Sequence, residues 1–353
     1  MVRRSERKTP LPEVLPAGIV AQVNALGTAL VQVARAHRDD TLATLEQETL
    51  TTIRAAMAGL LGAVLALSTT SVQPGALGRT VPCPTCAGRT PVDGWRPRTI
   101  QTVCGPLSVE RPWYHCRTCQ HGWSPTDTTW ELAPRARISA GLAEWLIDLR
   151  ASTSFADARR ELAKLSGLKV SAETIRQYTE QRGTQMETAD QAAAESVLRT
   201  QETAQPLDPA PGTLVVETDG VMVRYQSGGH EVKLGLVGGQ VQGELTAMSY
   251  LALRQSAELF GSRLLAEAAR RGAFEIVGWE GPITGNPLAH LRRVVVLGDG
   301  ALGLPLGSGA VESVGKHVVQ LRMKRAGARW SDDGAQAVLN VRYRLISHRS
   351  LAA

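Results

Sequence analysis

The sequence lacks an apolar run long enough to cross a lipid bilayer. Its longest run, from Met57 to Leu67, has 11 residues, whereas a membrane-spanning helix needs about 20. The basic residues from Arg3 to Lys8 lead into a polar, proline-containing segment and not into the apolar core of a signal peptide. We therefore expect a cytoplasmic protein that has no membrane partner.

Acidic residues are in the minority. The chain of 353 residues has 33 Asp and Glu residues against 39 Lys and Arg residues, a net charge of +6, and its pI is about 9.3. The excess positive charge favours an acidic partner, and nucleic acid is the natural candidate. With 43% hydrophobic residues, the chain can form two or three domains. The basic residues concentrate in Arg3 to Lys8, Arg89 to Arg111 and Arg322 to Arg329.

Cysteine is scarce, and four of the five cysteines form two C-x-x-C motifs, Cys83 with Cys86 and Cys116 with Cys119. Alternating residues between the motifs predict two short strands. Four thiolates complete a tetrahedral, structural zinc site that leaves no position open for catalysis. A thioredoxin-like redox motif is the weaker alternative, because it needs one C-x-x-C in a βαβ setting. The remaining Cys104 is expected to pack as a small side chain.

The same region interleaves basic and aromatic residues. On a small metal-stabilised module, guanidinium groups could pair with DNA phosphates while the rings brace them. Alternatively, the rings fill a core that is too small to hold without them. The residues are Arg89, Arg96, Arg98, Arg111 and Arg117 with Trp95, Trp113, Tyr114 and Trp123.

Two further regions are predicted to be helical. Residues from Leu15 to Leu67 indicate a helical hairpin, which could pack on the rest of the chain, self-associate or touch DNA. Later, one helix spans about 139–150, a second runs from the N-cap Ser154 to Leu165, and Gly167 precedes a third helix that ends near Arg182. This is the outline of a helix-turn-helix, although an ordinary helical hairpin fits equally well.

The last region begins with strands. Thr213 to Thr218 is predicted to form a strand that delivers Asp219 at its end, and two more strands, Val221 to Tyr225 and His230 to Val237, complete an antiparallel meander. Leu245 to Leu251 forms a further strand or leads into a helix over 256–271.

A buried strand, Val294 to Leu297, is then predicted to end at Asp299. A helix follows, with Glu312 in its first turn and a buried stripe. Each acid also has an ordinary structural explanation, because Asp-Gly favours turns and Glu favours a first helical turn. The stripe consists of Val311, Val314, Val318 and Leu321.

These segments resemble transposases of the DDE type, in particular the ISKra group of bacterial insertion-sequence transposases and, more distantly, the Mutator-like superfamily. The resemblance covers nearly the whole chain. The matching segments are CPTC, CRTC, SFADARRELAKLSGLKVSAETIRQYTEQRG, ETDGVMV, HEVKLG, VVLGDGA, GSGAVES and RMKRAGARWS.

The resemblance implies an RNase H-like fold in which Asp219, Asp299 and Glu312 bind Mg²⁺ or Mn²⁺. An intact site of this kind cuts and joins DNA by two-metal phosphoryl transfer. The implied partner is double-stranded DNA at transposon ends, and we expect a homo-oligomer in the bacterial cytoplasm, associated with the nucleoid. The DNA-binding candidates are Arg176 and Gln177 on the third helix of the helix-turn-helix outline, with Lys316, Arg322, Lys324, Arg325 and Arg329 after the last acid.

One departure from the family affects the predicted activity. Family members carry a strand and a long helical insertion between GDGA and GSG, whereas here Ala301 runs almost directly into Leu304. All three acids remain, but metal ligands must be held to within about 0.5 Å. We therefore expect impaired catalysis, and the alternative is an inactive DNA-binding protein or repressor derived from a transposase. A zinc-ribbon regulator that dimerises through a degenerate RNase H-like scaffold is a third hypothesis.

The expected fold is a multidomain α+β protein. We predict N-terminal helices over 1–78, a zinc ribbon over 79–127, a helix-turn-helix-like DNA-binding region over 132–202, and a shortened RNase H-like α/β catalytic domain over 213–353.

Overall fold

The computed structural model describes residues 15–68, 80–200, 214–241, 244–271, 309–325 and 327–347. Helices and sheets occur together, as predicted. The chain divides into two compact units. The first contains the predicted N-terminal helices and ribbon, and the second contains most of the predicted 132–202 region with the sheet that follows it. The units are Met1–Ala143 with Leu162–Lys169, and Glu144–Glu161 with Val170–Ala353.

The first unit begins with the predicted helical hairpin. Its helices are α1 (Ala17–Ala36) and α2 (Leu42–Ser68). The helix α2 packs on the sheet that follows it. Its Gly62 faces Leu107 of that sheet, whose Cδ1 would lie 3.6 Å from a Cβ at position 62. The packing role left open by the sequence is therefore observed for α2.

Both helices of the hairpin are long and apolar enough to cross a membrane by length and composition, which differs from the expectation based on continuous apolar runs. Core helices of soluble proteins and signal sequences share these properties. The predicted cytoplasmic location therefore stays a prediction.

The ribbon consists of two small antiparallel sheets. The central hairpin has 11 residues in each strand, so its strands are longer than predicted. The strands are β1 (Val81–Pro82), paired with β2 (Arg89–Thr90), and β3 (Val92–Thr102), β4 (Gly105–His115) and β5 (Gly122–Trp123), which form the second sheet in that order, followed by the short helix α3 (Pro125–Thr129).

Three helices follow: α4 (Ala140–Ser152), α5 (Phe155–Ser166) and α6 (Ala172–Thr200). The predicted N-cap is confirmed, because Ser154 Oγ accepts a hydrogen bond from the Asp157 backbone N–H at 3.0 Å. The chain leaves α5 at Gly167, whose φ of +75° is the left-handed conformation that glycine adopts without strain.

The predicted end of α6 near Arg182 is wrong, since the helix continues to Thr200. Its second half buries Met186, Ala194 and Val197. Burial of this apolar stripe within the second unit outweighs the weak termination signals in the sequence.

The second unit contains a three-stranded antiparallel meander, but its three strands are not the three that were predicted. Its strands are β6 (Leu214–Tyr225), β7 (Gly228–Val241) and β8 (Glu244–Leu253), in that order. The two strands predicted on either side of Asp219 are one continuous strand, because β6 pairs with β7 without a register shift from Leu214 to Tyr225.

Helices cover both faces of this sheet. The helix α7 (Ala257–Ala269) lies on one face, where a Cβ on Gly235 would be 2.7 Å from Leu264 Cδ1. The other face receives the helix 309–323, which consists of α8 (Gly309–Val314), a π-helical turn (Gly315–Gln320) and α9 (Leu321–Met323). The predicted strand from Val294 to Leu297 and the linker from Thr203 to Gly212 lie outside the described residues.

The last helix, α10 (Asp332–Ile346), runs through the core of the second unit. It approaches α6 so closely that a Cβ on Gly183 would lie 2.0 Å from the Ala337 carbonyl oxygen. The Asn340 side-chain amide donates a hydrogen bond to the Gly183 carbonyl oxygen at 3.0 Å. The helix α6 is therefore a core element of this unit along its middle and second half.

Candidate functional site

The four cysteines of the two C-x-x-C motifs meet in the ribbon. Their sulfur atoms all lie within 4.8 Å of one another, and Sγ of Cys83 is 3.5 Å from Sγ of Cys119 while Sγ of Cys86 is 3.5 Å from Sγ of Cys116. An ion held tetrahedrally by four thiolates at about 2.3 Å would separate the sulfurs by about 3.8 Å. The cluster could therefore hold a metal ion.

The two turns that present the thiols have the same backbone structure. The Ala87 backbone N–H donates to the Cys83 carbonyl oxygen at 2.9 Å, and the Gln120 N–H donates to the Cys116 carbonyl oxygen at 2.8 Å. Ala87 and Gln120 both have positive φ, 58° and 59°. Each left-handed residue directly follows the second cysteine of its motif, so both knuckles fold back at the same point.

The thiols influence one another's protonation. Hydrogen bonds from the backbone N–H groups of Cys119 and Thr118 lower the pKa of Cys116 to about 5. The His121 N–H lowers the pKa of Cys119, but burial and the thiols of Cys83, Cys86 and Cys116 outweigh it and raise that pKa to about 12. Four thiolates cannot share this volume without a cation, which is the electrostatic property of a metal site.

The arginines of the ribbon that contact an aromatic ring differ in their exposure to solvent. The Trp113 ring packs against the guanidinium groups of Arg96 and Arg111, at 4.7 and 5.2 Å from its centroid. Arg111 is buried and pairs with Asp127 at 3.2 Å, so it supports the fold, whereas Arg96 is exposed.

The first of the three predicted acids, Asp219, lies in the middle of β6 and not at a strand end. It is exposed, and its carboxylate accepts a hydrogen bond from the Gly220 N–H at 2.7 Å. On β7 its partner is Leu234. A Cβ placed on Gly315 of the π-helical turn would lie 3.0 Å from Leu234 Cδ1 and 3.2 Å from Val221 Cγ2. Asp219 therefore lies on the sheet face that the helix 309–323 covers.

The helix 309–323 carries Glu312, the last of the three predicted acids. Glu312 is exposed and lies in the first turn of the helix, as predicted. A hydrogen bond fixes this end of the helix to the sheet, because the Val311 N–H donates to Glu217 Oε2 at 3.0 Å. Glu217 and Asp219 are two residues apart on β6, so their side chains share one face. Two of the predicted acids are thus brought to the same part of the sheet.

Asp299 and the shortened connection from Ala301 to Leu304 lie outside the described residues. Across the described parts of the chain, the cysteines form the one group of three or more potential ligands within 4.8 Å. The carboxylates of Glu217, Asp219 and Glu312 therefore do not meet as closely as the four sulfur atoms do.

The predicted apolar stripe of the helix 309–323 is correct at its beginning and wrong at its end. Val311, Val314 and Val318 are buried, but Leu321 is 54% exposed and Met323 is buried instead. The π-helical turn adds a residue to the helical repeat and rotates the following side chains.

The basic residues after Glu312 divide into two groups. Lys316, Lys324, Arg325 and Arg329 are exposed, as a DNA-binding role requires. Arg322 is 5% exposed, which contradicts its predicted role as a DNA-backbone contact.

The guanidinium of Arg322 packs over the Trp330 ring, 4.5 Å from its centroid, and lies 5.8 Å from the Phe155 ring. Burial, with smaller contributions from Arg342 and Arg325, lowers the pKa of Arg322 to about 9. Its long side chain therefore contributes to the packing of this unit.

The two candidates on α6 lie near its N-terminus. Arg176 pairs with Glu173 at 2.6 Å and with Glu180 at 2.5 Å. Gln177 is exposed, and its amide donates to Glu173 Oε1 at 2.9 Å. Because two carboxylates already neutralise Arg176, a phosphate would have to displace them before it could pair with this guanidinium.

Residues 87–237 match the family described as Uncharacterised protein family (UPF0236). The match covers less than half of the chain and names no activity. It includes the second cysteine motif, the helices α4 to α6 and Asp219, and it excludes the first cysteine motif and Glu312. No curated protein matches the chain.

The matched stretch contains two functional candidates that the sequence reasoning missed. Glu217, which anchors the helix 309–323, precedes Asp219 by two residues, a spacing that places both acids on one face of a strand. Arg224 lies exposed further along β6. Arg224 was harder to recognise in the sequence than Glu217, because one arginine in an alternating strand usually belongs to a solvated face.

Proposed function

We propose that this protein binds DNA and is a DDE-type transposase with an impaired catalytic domain. Asp219 and Glu312, with Asp299, would hold Mg²⁺ or Mn²⁺, and the four cysteines of the ribbon would hold a structural Zn²⁺. The observation that carries the proposal is the anchoring of the helix with Glu312 to the sheet face with Asp219.

This anchoring supports the proposal because acids used in phosphoryl transfer come from separate elements and must meet at one place. The Glu217 carboxylate accepts the Val311 N–H at the start of the helix 309–323. That contact holds Glu312, the next residue, beside the strand that carries Asp219. Both carboxylates are exposed, so a hydrated cation and a DNA phosphate can approach them.

Two divalent ions at such a site would stabilise the attacking and leaving oxygens of an in-line displacement at phosphorus. The residues of this chain supply the ligands and the orientation. Carboxylate oxygens are the ligands that Mg²⁺ prefers. The remaining requirement is accurate placement, since a shift of about 1 Å can cost about a hundredfold in rate.

The expected impairment rests on the sequence between Asp299 and Glu312. The transposases that the sequence resembles have a strand and a helical insertion there, whereas this chain has about a dozen residues. Such a segment can span up to about 40 Å when extended, so Asp299 can reach the other acids. Without the supporting strand and insertion, the three acids would be placed less accurately, and we therefore propose DNA binding with little or no cleavage.

The zinc assignment follows from the ligand set. Four thiolates in a tetrahedral arrangement are typical of structural Zn²⁺ sites, in which every position around the ion is occupied by protein. The exposed Arg96 beside Trp113, which also pairs with the exposed Asp93 at 3.3 Å, then places a cation on a metal-stabilised surface, where it could contact a DNA phosphate.

The test combines metal binding and DNA nicking. Titration calorimetry with Mn²⁺ should detect binding to the wild type and a loss of at least about tenfold in affinity in Asp219→Asn. The matched control is Asp333→Asn, which removes an exposed acid from α10. Nicking of supercoiled plasmid DNA with Mn²⁺ should be weak in the wild type and absent in Asp219→Asn.

Two results would contradict the proposal. Equal Mn²⁺ affinity in the wild type and in Asp219→Asn would refute the assignment of Asp219 as a metal ligand. Robust nicking that Asp219→Asn abolishes would instead show a fully working site and refute the proposed impairment.

A further inference from the structure

A basic cleft lies at the end of β6, away from the acids. It has a volume of about 790 Å³. The C-terminal part of β6 forms one side, and the segment after the helix 309–323 forms the other. A backbone hydrogen bond joins the two sides, since the Gln226 N–H donates to the Trp330 carbonyl oxygen at 2.9 Å. The charged residues of its lining are Arg224, Lys324, Arg325 and Arg329.

Among the residues that the structure describes, none of those that line the cleft is acidic. Arg325 forms an ion pair with Asp157 at 3.4 Å. Arg224, Lys324 and Arg329 form none with any residue that the structure describes, and all three are exposed. Three unpaired cations that face one concave space repel one another, and an anion with several charges would relieve that repulsion.

The lining of the cleft favours an unpaired strand of nucleic acid over a duplex. Met222 also lines the cleft and is 58% exposed. Its apolar side chain offers a surface on which an unpaired base can pack, as sites for single strands require.

The cleft is separate from the acidic site. Arg224 follows Asp219 by five residues on the same strand, which places the two Cα atoms about 16 Å apart. The side chains of Arg224 and Met222 also leave the sheet on the face opposite that of Asp219, because side chains alternate along a strand. A ligand in the cleft therefore does not contact Asp219.

We propose that this cleft binds the phosphodiester backbone of an unpaired nucleic-acid strand. The free cations Arg224, Lys324 and Arg329 pair with successive phosphates, and Met222 contacts a base. This proposal rests on the proposed function for its ligand class, but it requires no metal and no catalytic activity.

The test measures binding of a fluorescein-labelled 20-nucleotide single strand by anisotropy, in EDTA and over about 50 to 200 mM salt. Arg224→Gln and Lys324→Gln should each weaken binding by up to about fivefold, as expected for one exposed charged contact. Each should also lower the slope of log affinity against log salt by about 0.7, and the double variant by about 1.4.

The matched control is Arg199→Gln, which removes an exposed arginine at the end of α6; it should leave affinity and slope unchanged. Binding of the same sequence as a duplex should respond less to the cleft variants. Circular dichroism should show that every variant is folded.

Each failure has a different meaning. If the wild type binds neither the strand nor the duplex, the proposed DNA-binding function fails together with this inference. If the wild type binds the strand but Arg224→Gln and Lys324→Gln bind it equally well, only the cleft assignment is refuted. Equal loss of duplex binding in these variants would refute the preference for an unpaired strand, and competition by millimolar inorganic phosphate alone would indicate a small-anion site instead.

Discussion

Replacing Asp190 by asparagine should destabilise the second unit more than any exposed charge change. Asp190 on α6 accepts hydrogen bonds from Arg263 at 2.9 Å and from the Tyr343 hydroxyl at 2.6 Å, and it also pairs with Arg344. These contacts join α6, α7 and α10. The side chains of Arg263 and Arg344 are 2% and 10% exposed, so water cannot replace the carboxylate.

The expected loss follows from this burial. The substitution Asp190→Asn keeps the shape of the side chain but leaves two buried guanidinium groups without a counter-charge. Removing one partner of a buried ion pair costs about 3 to 5 kcal/mol, and a domain is stable by only about 5 to 15 kcal/mol. Urea unfolding followed by circular dichroism should show this loss at pH 7. The control, Glu173→Gln on α6, breaks an exposed pair with Arg176 and should cost less than about 0.5 kcal/mol.

The effect of Asp190 should also depend on pH. Burial by itself would raise the pKa of Asp190, but Arg263, the Tyr343 hydroxyl and Arg344 outweigh it and hold that pKa below its ordinary value. A carboxyl whose folded pKa is lowered stabilises the protein above its unfolded pKa, about 3.9. The contribution is lost as the pH falls through the folded pKa. A difference between wild type and Asp190→Asn below about 1 kcal/mol at pH 7, or one that does not shrink below about pH 4, would refute this reasoning.

Two further predictions concern packing and the ribbon. Gly183→Ala should destabilise the second unit by about 1 to 3 kcal/mol despite the helix propensity of alanine, because the added methyl group overlaps the α10 backbone; the neighbouring, exposed Thr184→Ala should be nearly neutral in the same urea unfolding experiment. Cys116→Ser should abolish bound zinc in elemental analysis and unfold the ribbon, whereas Cys104→Ser should leave one zinc per chain. Retention of zinc by Cys116→Ser would contradict the four-thiolate site.

The sequence alone determined the features that depend on neighbouring residues. The C-x-x-C spacing by itself predicts two knuckles, since each is a tight turn whose hydrogen bonds close within a few residues. The N-cap Ser154 and the helix end at Gly167 follow from local backbone and side-chain chemistry in the same way. The antiparallel pairing of adjacent strands was also readable, because short turns connect them.

The tertiary structure alone decided where the charged residues of the candidate sites lie. Arg322 and Arg325 belong to one basic run, yet the first is buried against Trp330 and the second is exposed. Arg322 lies in the helix after its π-helical turn, whereas Arg325 lies beyond the end of that helix, so the two side chains meet different surroundings.

The dependence on tertiary packing also explains why the candidates Glu217 and Arg224 were not predicted from the sequence. The contact between Glu217 and Val311 joins residues 94 positions apart, and the basic cleft joins Arg224 to a segment about 100 residues later. Sequence periodicity assigns a side chain to a face of its own strand or helix. Only the packing of distant elements determines which charges that face meets.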